Sequence, residues 1–295
     1  MGTSNGNRGQ GGRTPLVPSW LPADASPALP APPPPSAPPA EAPATTSAPL
    51  RLDVPVFPAL PALAAANRFT APRNNFSRYA ASGGSDRRSL GRALSQYISS
   101  AAGGSRTAAQ RMGASRTAGV QLAGFLSNAV TNGPREALRA LNLENLAGRP
   151  IEQVFIGLVE YVCPEGGSLD EGIAREAFIE TIADLADNGV VNFDGLTADQ
   201  MQTIFELYAS HAIETRLCND IGMNAITLPA DAMKAASVQR QLLDFVRRSV
   251  GDAMTQARQA MLTLTPERVS GFVTRVYEEA LRLLQSFGEA EAETP

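Results

Sequence analysis

The chain has 295 residues and a net charge of −4, with 23 Pro, 25 Gly, 2 Cys and a single His. One His and two Cys leave little material for a zinc centre or a His-based triad, and two Cys are too few for a disulfide framework. No apolar run approaches the roughly 18 residues of a membrane span, and the N-terminus lacks the apolar core of a secretory signal.

Charge and proline are unevenly distributed. Residues 1–150 hold 15 Arg against 6 acidic residues, whereas residues 151–295 hold 10 basic against 23 acidic residues. A basic half joined to an acidic half predicts two binding surfaces of opposite sign, or contact between the halves. Seventeen prolines fall between positions 15 and 72. Lys234 is the only Lys beside 24 Arg, a bias expected of a GC-rich bacterial genome.

Residues 1–14 contain five Gly and no aliphatic side chain beyond Met1. Such a stretch buries nothing to offset its ordering entropy and is expected to be mobile. Gly2 permits removal of Met1, which exposes a free Gly amine at the end of a tether. Gly6 stands where N-myristoylation wants Ser or Thr, so modification at Gly2 would be of another kind. Residues 15–22 (PLVPSWLP) form an apolar island with Leu16, Val17, Leu21 and the only Trp, Trp20. Flanking prolines pre-set an extended conformation, which reads as a partner-docking motif. Residues 23–66 are a Pro/Ala spacer, and residues 50–63 offer a second apolar stretch. Residues 1–66 are therefore expected to be a disordered arm.

A basic block follows at 67–119. Arg68, Arg73, Arg78, Arg87, Arg88, Arg92, Arg106, Arg111 and Arg116 stand there against one acid, Asp86. Phe69, Phe76, Tyr79 and Tyr97 are interspersed. Arg holds phosphates while aromatic rings stack bases, so Arg73 to Arg116 are candidates for nucleic acid or for an acidic protein partner.

Helical periodicity is read from Asp86, a cap for 86–99 with Leu90, Leu94, Tyr97 and Ile98 on one face. Gly103 and Gly104 end it. Residues 105–129 predict one long helix whose Gly113, Gly119 and Gly124 mark close approach or a kink. Gly133 and Pro134 separate this from short helices at 134–146 and 150–162. Ser168 with Glu171 and Thr197 with Gln200 are capping boxes, opening helices to about 186 and about 218. Residues 190–193 predict an extended segment. One helix or two span 231–264, and Thr265 and Pro266 open a last helix to Phe287. The expectation is an irregular all-α protein: an Arg-rich helical segment at 67–131, an all-helical domain at 132–288, and an acidic tail at 289–295.

Catalytic signatures are missing from the sequence. No G-x-S-x-G and no P-loop occurs. His211 is expected to be a helix residue with a local partner. Cys163 and Cys218 read as buried thiols of a reduced, cytoplasmic protein. The pairs Asp184/Asp187, Glu278/Glu279 and Asp170/Glu171 are expected on solvated faces. The reading is a non-enzyme with no cofactor and no metal.

Several strings resemble one family. They are MGTSNG with PLVPSW, RNNFSRYAASGG at 73–84, LGRALSQYI at 90–98, RMGASR at 111–116, and LAGRPIEQVF with YVCPEGGSLDE between 146 and 171. Together they resemble the QatB family, associated proteins of the bacterial Qat anti-phage defence system. The resemblance covers most of the chain except the Pro-rich spacer. It implies a role in antiviral defence beside an ATPase, a QueC-like protein and a TatD-like nuclease, with no assigned catalytic residue. A QueC-like enzyme activates a carboxylate with ATP. Such an enzyme normally couples the carboxylate to ammonia; the free Gly-rich terminus motivates the hypothesis that a 7-deazapurine carboxylate is coupled instead to the Gly2 amine.

Overall fold

The computed structural model describes residues 67–187, 193–195, 197–222, 226, 229–261 and 264–294, apart from the side chains at 258–261. All of them belong to one compact unit, Ala48–Pro295. Every regular element among the described residues is helical, as the periodicity predicts, and none is a strand. The helices are α1 (Thr70–Ala81), α2 (Arg87–Gln96), α3 (Ser105–Gln110), α4 (Gly113–Asn132), α5 (Pro134–Ala140), α6 (Ile151–Val162), α7 (Leu169–Asp187), α8 (Ala198–Ile221), α9 (Ala232–Met261) and α10 (Pro266–Glu293). Residues 1–66, with Gly2, Leu16, Val17, Trp20 and Leu21, lie outside the described residues, as do 190–192 of the expected extended segment.

The helix starts follow local chemistry. The Asp86 carboxylate accepts the Ser89 backbone N–H at 3.0 Å, and the Ser89 hydroxyl first, with that backbone N–H second, holds its pKa below the usual value. Thr197 and Gln200 form the reciprocal capping box that opens α8. Ser168 and Glu171 bond reciprocally ahead of α7. Gly222, at φ 73°, closes α8 in the left-handed region where a Cβ is penalised.

Four boundaries differ from the sequence reading. Helical structure begins with α1, well before Asp86, because Phe76, Tyr79 and Ala80 bury completely against the bundle. The helix expected over 105–129 breaks at Met112, whose ψ of 46° is not helical and whose side chain is buried. The bend lets α3 and α4 both pack on α10. The helix expected over 134–146 stops at Ala140, because Asn142 turns to φ 58° and a 3-10 turn follows over Glu144–Leu146. The last helix does not end at Phe287: α10 continues through the acidic stretch to Glu293.

α2 and α10 cross nearly backbone to backbone. A Cβ built on Gly91 would stand 2.5 Å from the Gly288 carbonyl oxygen, and one on Gly288 would stand 2.8 Å from that of Gly91. A single core joins residues 67–131 to 132–288. Its aromatic rings form a chain through the bundle. Phe125 stacks on Phe193 at 5.4 Å, Phe155 on Phe178 at 5.9 Å, and Phe178 meets the edge of Tyr208 at 6.2 Å. Gly119 of α4 sits where a Cβ would be 3.3 Å from Val273 of α10. The predicted close approach is therefore real at that glycine.

Candidate functional site

Polar chemistry concentrates where α7, α8 and α9 meet. His211 on α8 is 5% exposed, and its Nε2 lies 2.9 Å from Asp184 Oδ2 on α7. Arg247 of α9 donates to the same carboxylate oxygen. His211 is a helix residue, as expected, but its hydrogen-bond partner lies on another helix rather than nearby in the chain. Asp184 is likewise no solvated surface acid, because it ties three helices together. One helical turn from His211 stands Glu214, whose carboxylate is 3.9 Å from His211 Nδ1. Burial pushes the Glu214 carboxyl up to about 7; Arg247 opposes this, while Glu180, Asp184 and Glu176 add to it. Above these residues opens a cleft of about 630 Å³, lined by Glu176, Glu180, Arg240 and Cys218 among others.

A second network fastens the start of α4. No side chain of its own caps this helix. Instead Asp170 of α7 accepts the Ala114 N–H at 2.9 Å, placing a carboxylate at the positive end of the helix dipole. Arg216 donates to the other Asp170 oxygen at 2.6 Å and to Asp220 at 3.2 Å, and the Tyr97 hydroxyl donates to Asp220 at 2.9 Å. Burial works against charge on Arg216, but Asp220, Tyr97 and Asp170 outweigh it and hold the guanidinium firmly protonated. Asp170, also expected to be solvated, is therefore a cap delivered from another helix. Glu278 and Glu279 face Arg106 and Arg282.

The Arg-rich candidates are dispersed. Arg73 Nε donates to the Ile221 carbonyl at 2.7 Å, at the negative end of α8. Arg87 pairs with Glu291 at 2.5 Å, and Arg88 donates to the Ala292 carbonyl at 3.0 Å. Arg106 lies 3.8 Å from Glu278. Arg111 is partly buried, and burial followed by the neighbouring Arg68 and Arg216 lowers its pKa. Arg116 is only 5% exposed, facing Thr274, and cannot present its guanidinium to an outside ligand. Arg78 and Arg92 remain exposed on α1 and α2, both close enough to favour the ionised form of Asp86.

Both thiols are free. Burial pushes Cys163 up to about 12 and raises Cys218 further from its usual range. Among the described residues no group of His, Cys, Asp and Glu is arranged to hold a metal ion, and no helix is long and apolar enough to cross a membrane. Glu214 and Arg247 had not been singled out in the sequence, and Asp184 only as a solvated surface acid. Their signal was present there, since Glu176, Glu180 and Asp184 recur at the four-residue helical spacing and His211 and Glu214 are one turn apart.

No curated protein and no solved structure matches the chain. The family described as Qat anti-phage system associated protein QatB matches residues 103–284, from just before α3 to near the end of α10. That span is more than half of the chain and contains both networks, so the chain belongs to the QatB family and is a component of the Qat anti-phage system.

Proposed function

We propose that this chain is a non-catalytic subunit of the Qat system, an adaptor or modified substrate that works through protein–protein contacts. The observation that carries the reading is the use of its reactive residues. The one His is held between Asp184 and Glu214 inside the bundle, and burial keeps both thiols protonated. These groups join helices rather than converge on a substrate. The arm supplies the functional ends: Leu16, Val17, Trp20 and Leu21 dock a partner, and Gly2 accepts the modification. In that step a QueC-like partner adenylates a 7-deazapurine carboxylate with ATP, releasing pyrophosphate; the Gly2 amine then attacks the acyl-adenylate, the acyl–O bond breaks, and the amide forms as AMP and a proton leave. The ATPase, the QueC-like protein and the TatD-like nuclease are the partners that this reading expects in a cytoplasmic assembly.

Intact mass of the chain co-expressed with its operon tests the reading. Added mass confined to the N-terminal peptide is the expected result. An unmodified N-terminus in cells mounting active defence removes the substrate role, and failure of the other Qat proteins to co-purify removes the adaptor role.

The exposure of Arg78 and Arg92 favours a second reading, in which α1 and α2 bind nucleic acid. A salt-dependent shift of labelled DNA or RNA by the purified chain would support it. Binding that survives neutralisation of Arg87, Arg88 and Arg92 would take away its proposed site.

A further inference from the structure

The α7–α8–α9 cleft holds more negative charge than its structural pairs require. Glu176, Glu180 and Asp184 stand one helical turn apart along α7, and like charges at that spacing repel. Glu214 faces them from α8 with its carboxylate four-fifths buried. Two cations, Arg240 and Arg247, approach from α9, and the Cys218 thiol completes the titratable set. With Glu214 ionised, four carboxylates face two guanidinium groups.

Glu214 is the element that responds. Its carboxylate lies 3.9 Å from His211 Nδ1, and His211 Nε2 stands 2.9 Å from Asp184. A protonated Glu214 removes one of the four negative charges. That lowers the repulsion between α7 and α8, and Asp184 carries the effect to Arg247 on α9.

We infer that this cleft is a proton-operated clasp, in which a proton held by Glu214, beside His211, keeps α7 seated on α8 and α9, and its release loosens α7. The device is independent of whether Gly2 is modified. Glu214 gives the sign. Its carboxyl titrates higher in the folded chain than in the unfolded one, so its contribution is complete at acid pH and is lost as pH rises through about 7. Loosening thus belongs to the alkaline side of neutrality.

Hydrogen exchange of the full-length chain at pH 5.5 and pH 8.5, corrected for the intrinsic exchange rates, tests the clasp. Opening of α7 amides should rise about tenfold or more at the higher pH, equivalent to about one pH unit of proton linkage. Amides of α2, remote from the cleft, should not follow. Glu214→Gln mimics the protonated carboxyl and should leave α7 almost independent of pH. An equal rise in α7 of wild type and Glu214→Gln overturns the clasp, as does a rise in wild-type α7 no larger than in α2. Should Glu214→Gln fail to fold, Glu180→Gln provides the second variant, because its side chain is exposed on the cleft lining. It should reduce the pH dependence of α7, and an unchanged dependence overturns the clasp.

Discussion

Two glycine-to-alanine substitutions, both inside helices, should change stability in opposite directions. Alanine is favoured over glycine in a helix interior by about 1 kcal/mol. At Gly251 of α9 a Cβ would meet no atom within 4 Å, so Gly251→Ala should realise most of that gain, about 0.5–1 kcal/mol. At Gly91 the new Cβ would fall 2.5 Å from the Gly288 oxygen and 2.8 Å from the Ala292 nitrogen. These are backbone atoms, which cannot rotate aside, so α10 must move away from α2. Overpacking of this kind costs about 1–3 kcal/mol, which exceeds the propensity gain. The displacement would also strain the Arg87–Glu291 pair and the Arg88 bond to Ala292. Gly91→Ala should therefore be net destabilising by about 1–2 kcal/mol, allowing for both terms. For a unit of this size the two variants should then differ by about 5–10 °C in Tm. Differential scanning calorimetry on both variants decides the matter. An equal rise in Tm for Gly91→Ala and Gly251→Ala would refute the close α2–α10 crossing.

The other networks yield predictions of their own. Asp170→Asn weakens the borrowed cap of α4 and leaves Arg216 with one acid fewer; urea unfolding should register a loss of about 1–2 kcal/mol, the scale of a helix cap. The Tyr277 hydroxyl is buried and makes no hydrogen bond to protein, so Tyr277→Phe should be neutral or stabilising in the same assay; a loss above about 1 kcal/mol would show that the hydroxyl is satisfied. At pH 8 a disulfide reagent should titrate Cys163 slowly in the native chain and fast in denaturant, because that thiol is buried and protonated; Cys218, half-buried on the cleft lining, should react ahead of it.

The sequence carried the fold class well and the site poorly, for distinct physical reasons. Capping boxes at Ser168 and Thr197 were legible because their chemistry is local: a side chain and a backbone N–H three residues apart. The break at Met112 was not legible, since Arg111 and Met112 have ordinary helical propensity and the bend exists to serve α10, more than 150 residues away in the chain. The same holds for α1, whose Arg-rich sequence conceals Phe76, Tyr79 and Ala80 as a buried face. Asp170 and Asp184 looked like surface acids because carboxylates at helix starts and on polar faces usually are. Only the fold brings Arg216 and Arg247 to them. The family strings divide in an informative way. RMGASR and the stretch from 146 to 171 lie inside the matched span of 103–284, whereas the arm and the α1–α2 strings lie outside it.

That division bears on the meaning of the charge asymmetry. Of the two readings of a basic half and an acidic half, contact between the halves accounts for several of the charges. Arg87 reaches Glu291, Arg106 faces Glu278, and Tyr97 and Arg111 gather with Arg216 around Asp220. Exposed pairs such as the first two contribute little stability each, typically below about 1 kcal/mol. Their consequence is spatial rather than energetic. By holding the last turns of α10 against α2, they fix the point from which the chain continues back through residue 67 into the arm. Arg116 is buried, and Arg73, Arg87 and Arg88 are engaged by α8 and α10. Arg73, Arg78, Arg87, Arg88, Arg92 and Arg106 nevertheless keep exposed surface. They are spread over α1, α2 and α3, and Arg87 and Arg106 already face acids. A partner that recognises only positive charge therefore meets them dispersed and partly neutralised.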